Sequence, residues 1–303
     1  MDFNHNLGLS CHPSGERVAG SSLDFSLYQW EAFPWDGEAY GIGDKATLPE
    51  RVRRHARAYW QQRLAAEGAP APPVRISEVP FDRRLVPPRD PSATPAQVDL
   101  TGHYTGLLYD PLYPPFVTNL QDNDLSSLQV GLSQLDRITF DLRGVIRLRA
   151  THPGDLPSRL VWNQYPTRVQ GIEIGRMFTQ MHVLHGAAGG WRHAMDGARQ
   201  PVPDGTPIAR FTYRYADGSQ RTDVVVYGRD VRNWWEGSGD KADTERGGVA
   251  WRGTNAVAEL YGAHLRLYQT TWANPQPDCV VTHLDYESLL TACGPFLVAV
   301  TVE

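Results

Sequence analysis

The residues best suited to binding chemistry are a pair of tryptophans with polar neighbours. Trp234 and Trp235 are adjacent, so in an extended chain one indole faces inward and the other outward. A flat indole beside hydrogen-bonding groups suits a sugar or protein ligand, because it offers apolar area next to polar contacts. The side chains expected to supply those contacts are Asn233, Asp230, Arg252 and Asn274. The sequence therefore predicts ligand binding at these positions.

Two nearby histidines raise the question of a metal site. His182 and His185 lie three apart in a segment with strand character, and residues three apart on a strand face opposite sides. The pair cannot chelate one ion without a bulge, and the HxH spacing of cupins with a following glutamate is absent. His193, His264 and His283 are scattered. We predict structural histidines and no metal or other cofactor.

Several acidic residues are candidates for catalysis. Glycoside hydrolysis needs two of them about 5–10 Å apart across a groove, and the candidates are Asp217, Asp223, Asp230, Glu236, Asp285 and Glu287. None has a distinguishing spacing, and a hairpin turn accounts for Asp217. A G-x-S-x-G elbow is absent, Cys279 and Cys293 lie in apolar surroundings, and the glycine-rich stretch 186–190 lacks the lysine of a phosphate loop. We therefore predict no catalytic residues, with a two-carboxylate hydrolase as the alternative.

Composition limits the partners and the compartment. The 303 residues are 41% hydrophobic and 21% charged, with a net charge of -5, which argues against binding to nucleic acids or anionic membranes. The three cysteines show no CxxC spacing. The sequence has neither a signal-peptide pattern nor an apolar run near the ~20 residues of a membrane span. We expect a cytoplasmic protein with a glycan or protein partner, and the oligomeric state stays open.

The elements that would position these residues are short strands. From residue 97 onwards, strands are predicted at 138–150 with a break at Gly144, at 207–216 and at 219–227. In 207–216, Ala209, Phe211, Tyr213 and Tyr215 share one face, and Asp217-Gly218 predicts a two-residue turn. Further strands are predicted at 169–175, 178–185, 264–272, 279–286 and 295–302. So many strands without intervening helices indicate an antiparallel sandwich or jelly roll.

The N-terminal third has a different organisation. Residues 7–31 alternate apolar and polar positions around two turn signals, which predicts three short antiparallel strands. A capping box at Thr47 and Glu50 begins an amphipathic helix over about 48–67, and Gly68 ends it. A proline-rich stretch then extends to residue 96 and has the composition of a semi-rigid linker.

Residues 7–31 resemble one WD40 repeat. His12-Pro13-Ser14-Gly15 occupies the usual turn, 18–21 the next strand, and 27–31 the closing strand, with Glu31 where aspartate is commoner. A propeller needs several blades of about 40–45 residues, and no second copy is evident. The resemblance therefore implies a propeller fragment.

The C-terminal two thirds resemble a family of bacterial modules appended to signalling proteins, among them WD40-containing kinases and sigma-factor-like proteins. The resemblance rests on residues 124–128, 140–146, 169–172, 182–186, 215–219, 227–235, 250–253, 271–278, 284–288 and 295–301. It implies a galactose-binding-like jelly roll, also found on glycoside hydrolases, and brings no catalytic residues with it.

These observations together predict a mainly β protein, an antiparallel β-sandwich with an N-terminal WD40-like strand fragment and one connecting helix. The expected domains are 1–33, a helix and linker over 34–96, and the sandwich over 97–303. The expected function is a non-catalytic ligand-binding or protein-interaction module of a bacterial signalling protein, with carbohydrate among its candidate ligands. A third reading is a structural domain packed against a parent propeller, with an exposed apolar patch on residues 1–33.

Overall fold

The computed structural model describes residues 6–11, 17–22, 27–31, 81–112, 123–150, 165–188 and 202–303. The chain divides into two compact units, one of residues 1–79 with 115–119 and one of residues 80–114 with 120–303. The predicted helix over 48–67 lies outside the described residues. None of the helices in the described ranges is long and apolar enough to cross a membrane.

The first unit contains a small antiparallel sheet. Its strands are β1 (Asn6–Cys11), β2 (Arg17–Ser22) and β3 (Leu27–Glu31), paired in chain order. Both pairings are antiparallel. The prediction of three short antiparallel strands in this segment is therefore confirmed.

The second unit is a sandwich of two antiparallel sheets. The four-stranded sheet has the order β10-β9-β14-β7, and the six-stranded sheet has the order β11-β13-β8-β15-β6, with β12 also paired to β13. A separate hairpin is formed by β4 (Gly131–Leu135) and β5 (Ile138–Leu142). The remaining strands are β6 (Ile146–Arg147), β7 (Arg168–Arg176), β8 (Gln180–Ala188), β9 (Pro207–Tyr215), β10 (Gln220–Val226), β11 (Trp235–Glu236), β12 (Gly248–Gly253), β13 (His264–Ala273), β14 (Val281–Ser288) and β15 (Gly294–Val302). The predicted mainly β, antiparallel, sandwich-like architecture is confirmed.

The main core lies between the two sheets and is rich in aromatic side chains. Phe211 of β9 stacks on Tyr286 of β14 at 4.7 Å between ring centroids, and meets Trp272 of β13 edge-on at 5.7 Å. All four residues predicted to share a face of β9 belong to this core. Large aromatic rings bury extensive apolar area and so hold the two sheets together.

A second core covers the opposite face of the six-stranded sheet. Leu184 of β8, Leu267 of β13 and Phe296 of β15 face it, and the β4–β5 hairpin covers it with Phe140 and Leu142. Strands β8 and β15 are therefore buried on both faces. This is why β15 is almost continuously apolar instead of alternating, whereas the two histidines of β8 are paired with threonines of β13.

The β9–β10 hairpin lies where predicted, but two of its details differ. Gly218 alone has a positive φ, +84°, and the Gly218 amide donates to Tyr215 O, so the turn is longer than a two-residue type I′ turn. Ile208, which strict alternation with Ala209 would place on the opposite face, is buried within the core. The pairing skips this residue between Val225↔Ala209 and Val226↔Pro207, and a bulge of this kind redirects a side chain.

Part of the predicted linker packs against the sandwich. Phe81 and Val86 contact the main core, and Arg143 Nη1 donates to Pro87 O at 3.3 Å. Residues 81–96 therefore belong to the sandwich unit. The helix α1 (Ala256–Leu260), which was not predicted, begins after Asn255, whose side chain accepts from the Ala258 amide at 2.7 Å.

Candidate functional site

Three of the six predicted site residues, Asp230, Asn233 and Arg252, lie around one surface loop. This loop, residues 237–247, connects β11 to β12 and is called the anchored loop below. None of its residues is buried, and Ser238, Asp240, Lys241, Asp243 and Glu245 are exposed. A loop with this little buried surface must be held by hydrogen bonds and ion pairs instead of by packing.

Three consecutive carbonyls of the anchored loop accept hydrogen bonds from side chains beneath it. Arg266 Nη1 donates to Lys241 O at 2.9 Å, and the Tyr268 hydroxyl donates to Ala242 O at 3.1 Å. Arg232 Nε donates to Asp243 O at 2.7 Å. Because the donors stand on β13 and on the segment before β11, the sheet fixes the centre of the loop.

An ion pair fixes each end of the anchored loop. At its start, the Glu236 carboxylate lies 3.0 Å from Arg252 Nε and 3.2 Å from Arg266 Nη1. At its end, Arg246 Nε lies 2.6 Å from the Asp230 carboxylate, and the Arg246 guanidinium stacks over Trp272 at 4.8 Å. Of the predicted ligand residues, Asp230 and Arg252 therefore anchor the loop directly. Asn233 anchors the loop indirectly, because its backbone carbonyl accepts a hydrogen bond from Arg266 Nε at 2.9 Å and so orients Arg266.

The charges beneath the loop are arranged as coupled pairs. Although burial would raise the pKa of Glu236, the hydrogen bond from Arg252 and the charge of Arg266 outweigh it and hold that pKa below its ordinary value. Arg232 forms a two-bond pair with Asp204, at 2.7 and 2.9 Å, which raises the pKa of the guanidinium. Burial raises the pKa of Tyr268, so its hydroxyl remains a donor.

The two predicted tryptophans are buried in the second core. Trp234 is 3% exposed and meets Phe296 edge-on at 6.0 Å. Trp235 is 6% exposed, and its Nε1 donates to Asn123 Oδ1 at 3.1 Å. The expectation that one indole faces outward is wrong, because the chain bends at residue 234 and does not alternate there. In this conformation, neither indole offers a face to a ligand.

Asn274 lies apart from the other predicted residues. It follows β13, at the end of that strand opposite to Arg266. Its side chain accepts from the Tyr215 hydroxyl at 2.6 Å and donates to Phe178 O at 2.9 Å. Asn274 is buried and joins the two sheets at that end of the sandwich.

Sequence reasoning did not single out the main donors, Arg232, Arg266 and Tyr268. Arg266 is 2% exposed and stands in the otherwise apolar start of β13, between Leu265 and Leu267. A charged residue at a core position of a strand is a usable signal, because burying a charge is costly unless it is paired.

The histidines of β8 occupy opposite faces, as their spacing predicts. His185 Nε2 lies 2.9 Å from Thr270 Oγ1, and His182 Nδ1 lies 2.8 Å from Thr271 Oγ1. Thr270 donates its proton to Asp230 O at 2.8 Å, so His185 donates to it from Nε2. Across the described ranges, His, Cys, Asp and Glu side chains form no group of three or more that could hold a metal ion.

His185 makes the stability of the fold depend on pH. Burial, aided by the charge of Arg246, lowers its pKa from 6.5 to about 4 against the opposing effect of Asp230. Between these two pH values, His185 binds a proton more readily in the unfolded chain than in the folded protein. The free energy of unfolding should therefore fall as the pH falls through this window, by up to about 1.4 kcal/mol per pH unit. Urea unfolding of the wild type and of His185→Gln, above and within the window, measures this effect. If the free energy of unfolding fell equally in the wild type and in His185→Gln, His185 would not be the cause of the pH dependence.

The candidate carboxylates are mostly engaged by arginines or by backbone amides. Asp217 accepts from the Ser219 amide in its turn, and Asp285 and Glu287 pair with Arg214 and Arg210. Asp223 differs, because burial raises its pKa against the opposing hydrogen bond from Tyr213, and the nearby Asp230 charge adds to the rise. Asp230 itself is fully buried, and its two oxygens accept from Arg246 and from the Val226 amide.

No protein-family model, curated protein or solved structure matches this chain.

Proposed function

We propose that the sandwich is a non-catalytic protein-interaction module whose contact element is the anchored loop. The observation that carries this proposal is the fixing of three consecutive loop carbonyls by Arg266, Tyr268 and Arg232. A loop whose side chains are exposed while its backbone is held loses little entropy on binding. Loops positioned by a rigid scaffold are the usual recognition elements of β-sandwiches.

The charges on the loop favour a basic partner surface. Asp240, Asp243 and Glu245 are exposed, whereas Arg246 is engaged by Asp230 and Lys241 lies 3.9 Å from Asp204. A glycan would need an accessible aromatic face, and the indoles of Trp234 and Trp235 are buried. The surface of the loop therefore suits a protein better than a sugar.

The biological setting of the module also belongs to this proposal. The family resemblance supports a bacterial signalling protein, and the sequence pattern favours the cytoplasm as its compartment. The three-stranded sheet of β1 to β3 agrees with a WD40-like fragment.

The alternative is a carbohydrate-active hydrolase that uses Asp223 and Asp230. The raised pKa of Asp223 favours it, since a general acid must hold its proton. Both oxygens of its partner Asp230 are occupied and shielded from solvent, so Asp230 cannot act as the nucleophile or base. The interaction module is therefore the better-supported function.

Site-specific photo-crosslinking tests the proposed contact element. A benzophenone amino acid placed at Ser238, in cells that produce the protein, should crosslink a discrete partner. The same residue at Thr222, which is exposed on β10, should not. Changing Asp240, Asp243 and Glu245 to their amides should lower the crosslink yield about tenfold, because charge complementarity speeds association.

Two results would contradict the proposal. Crosslinks of equal yield from Ser238 and Thr222 would show that the loop is not a preferred contact. A yield that is unchanged in the amide variant would show that its carboxylates do not select the partner.

A further inference from the structure

We infer that the anchored loop is one part of a larger contact face, and that this face binds the surface of a folded protein instead of a short extended peptide. The face combines the anchored loop with residues 203–206, which precede β9, and residues 227–230, which follow β10. These three segments are called the loop face below. The inference rests on the proposed function and names the class of its partner.

The strand directions bring the three segments to the same end of the sandwich. β9 begins where β10 ends, because Pro207 pairs with Val226. The opposite ends of β9 and β13 are joined by the bond from Tyr215 to Asn274, so these two strands begin at a common end. The anchored loop leaves β11 beside His264, the first residue of β13. The loop face therefore draws on both sheets.

Hydrogen bonds join the anchored loop to each of the other two segments. The Arg246 amide donates to Arg229 O at 2.7 Å. Arg232 Nε donates to Asp243 O at 2.7 Å, and the same guanidinium holds the Asp204 carboxylate at 2.7 and 2.9 Å. One end and the centre of the anchored loop are thus bonded to its neighbours.

The two shorter segments are bonded to each other as well. The Gly205 amide donates to Tyr227 O at 2.9 Å, and the Tyr227 amide donates to Thr206 O at 2.8 Å. Gly228 has a φ of +83°, and a Cβ atom there would lie 2.6 Å from Asp204 Cγ, so glycine permits this close approach. Because each segment is bonded to the other two, the loop face is organised before binding and loses little entropy in a complex.

The extent of the loop face suits a folded partner. The two sheets of a sandwich lie about 10 Å apart, so a face that draws on both of them is broad in two directions. Stable interfaces between folded proteins bury about 800 Å² on each partner. Several loops held in fixed positions by a scaffold provide a surface of this kind.

The neighbouring sheet edge is closed to an extended peptide. A peptide that adds a strand needs free backbone groups along an edge. On β10, which ends at the loop face, Val224 O accepts from the guanidinium groups of Arg229 and Arg246, each at 3.4 Å. The Val226 amide donates to Asp230 Oδ2 at 2.7 Å. These contacts favour a folded surface over a peptide.

Photo-crosslinking from all three segments tests the inference. A benzophenone amino acid is placed at Pro203, at Arg229 or at Ser238, one position in each variant, in cells that produce the protein. Pro203 is exposed, and the Arg229 side chain is 40% exposed. We expect all three variants to capture the same partner. If the probe at Pro203 prevents folding, Thr206 in the same segment carries it.

The matched control places the probe at Asp278, which is exposed in the loop between β13 and β14 at the opposite end of the sandwich. Its yield should be lower by about tenfold or more, because this position lies outside the contact area.

Mass spectrometry of the crosslinked products identifies the class of partner. A folded surface should place the crosslinks from the three positions on segments that are distant in the partner's sequence. A peptide would place all of them within one run of about ten residues, which spans at most about 35 Å when extended.

The outcomes separate this inference from the proposed function. Capture from Ser238 without capture from Pro203 and Arg229 would overturn the three-segment face and leave the anchored loop as the contact element. Crosslinks confined to one short run of the partner would overturn the folded surface. Failure of all three positions, or equal capture from Asp278, would remove the proposed function and this inference with it.

Discussion

Glu236→Gln is expected to destabilise the protein by about 3 kcal/mol, because it leaves the buried Arg266 without a carboxylate partner. Glu236 is the one carboxylate among the described residues that lies within ion-pair distance of Arg266. Removing one partner of a buried pair is costly, since the charge that remains is neither hydrated nor neutralised. Urea unfolding near neutral pH measures the change in the free energy of unfolding.

Arg252→Gln is the matched control, because it removes the other arginine bound to Glu236. Arg252 is 54% exposed, and exposed ion pairs contribute less than about 1 kcal/mol. The Glu236–Arg266 pair remains in this variant. If Glu236→Gln cost no more than Arg252→Gln, the buried Arg266 would not depend on Glu236 for its stability.

Trp234→Ala is expected to cost about 3–5 kcal/mol of stability, because it empties a large volume in the second core. The indole is 3% exposed and packs against Phe296. The sequence suggested a ligand contact for this residue, whereas its burial predicts a structural role. Thermal and urea unfolding should both show the loss.

Met177→Ala provides the comparison for an exposed apolar side chain. Met177 is 56% exposed, and a substitution there should change stability by less than about 0.5 kcal/mol. A Trp234→Ala protein of wild-type stability would show that the indole does not support the core. That result would again favour the sequence-based prediction that Trp234 contacts a ligand.

Much of the fold could be predicted from local patterns. The alternation in 207–216 predicted the inward face of β9, and the predicted segments 264–272 and 295–302 match β13 and β15 within one residue at each end. In a face-to-face sandwich, inward and outward residues alternate along each strand, so an alternating apolar pattern identifies the residues that face the core. The second core was not anticipated, since a strand buried on both faces shows no alternation that reveals what covers each side.

The candidate site shows the limit of local reasoning. Sequence proximity and residue type led to Asp230, Asn233 and Arg252, and these do anchor one loop. The same reasoning misplaced Trp234 and Trp235, because only the tertiary structure shows that a third layer covers that face of the six-stranded sheet.

The sequence by itself determined the antiparallel strands and their inward faces, because backbone pleating and apolar alternation act between near neighbours. The tertiary structure alone decided that Arg232, Arg266 and Tyr268 meet three consecutive carbonyls of the anchored loop. Such a cluster depends on strand order and register across the sheet, which bring distant residues together, and no spacing along the chain encodes it.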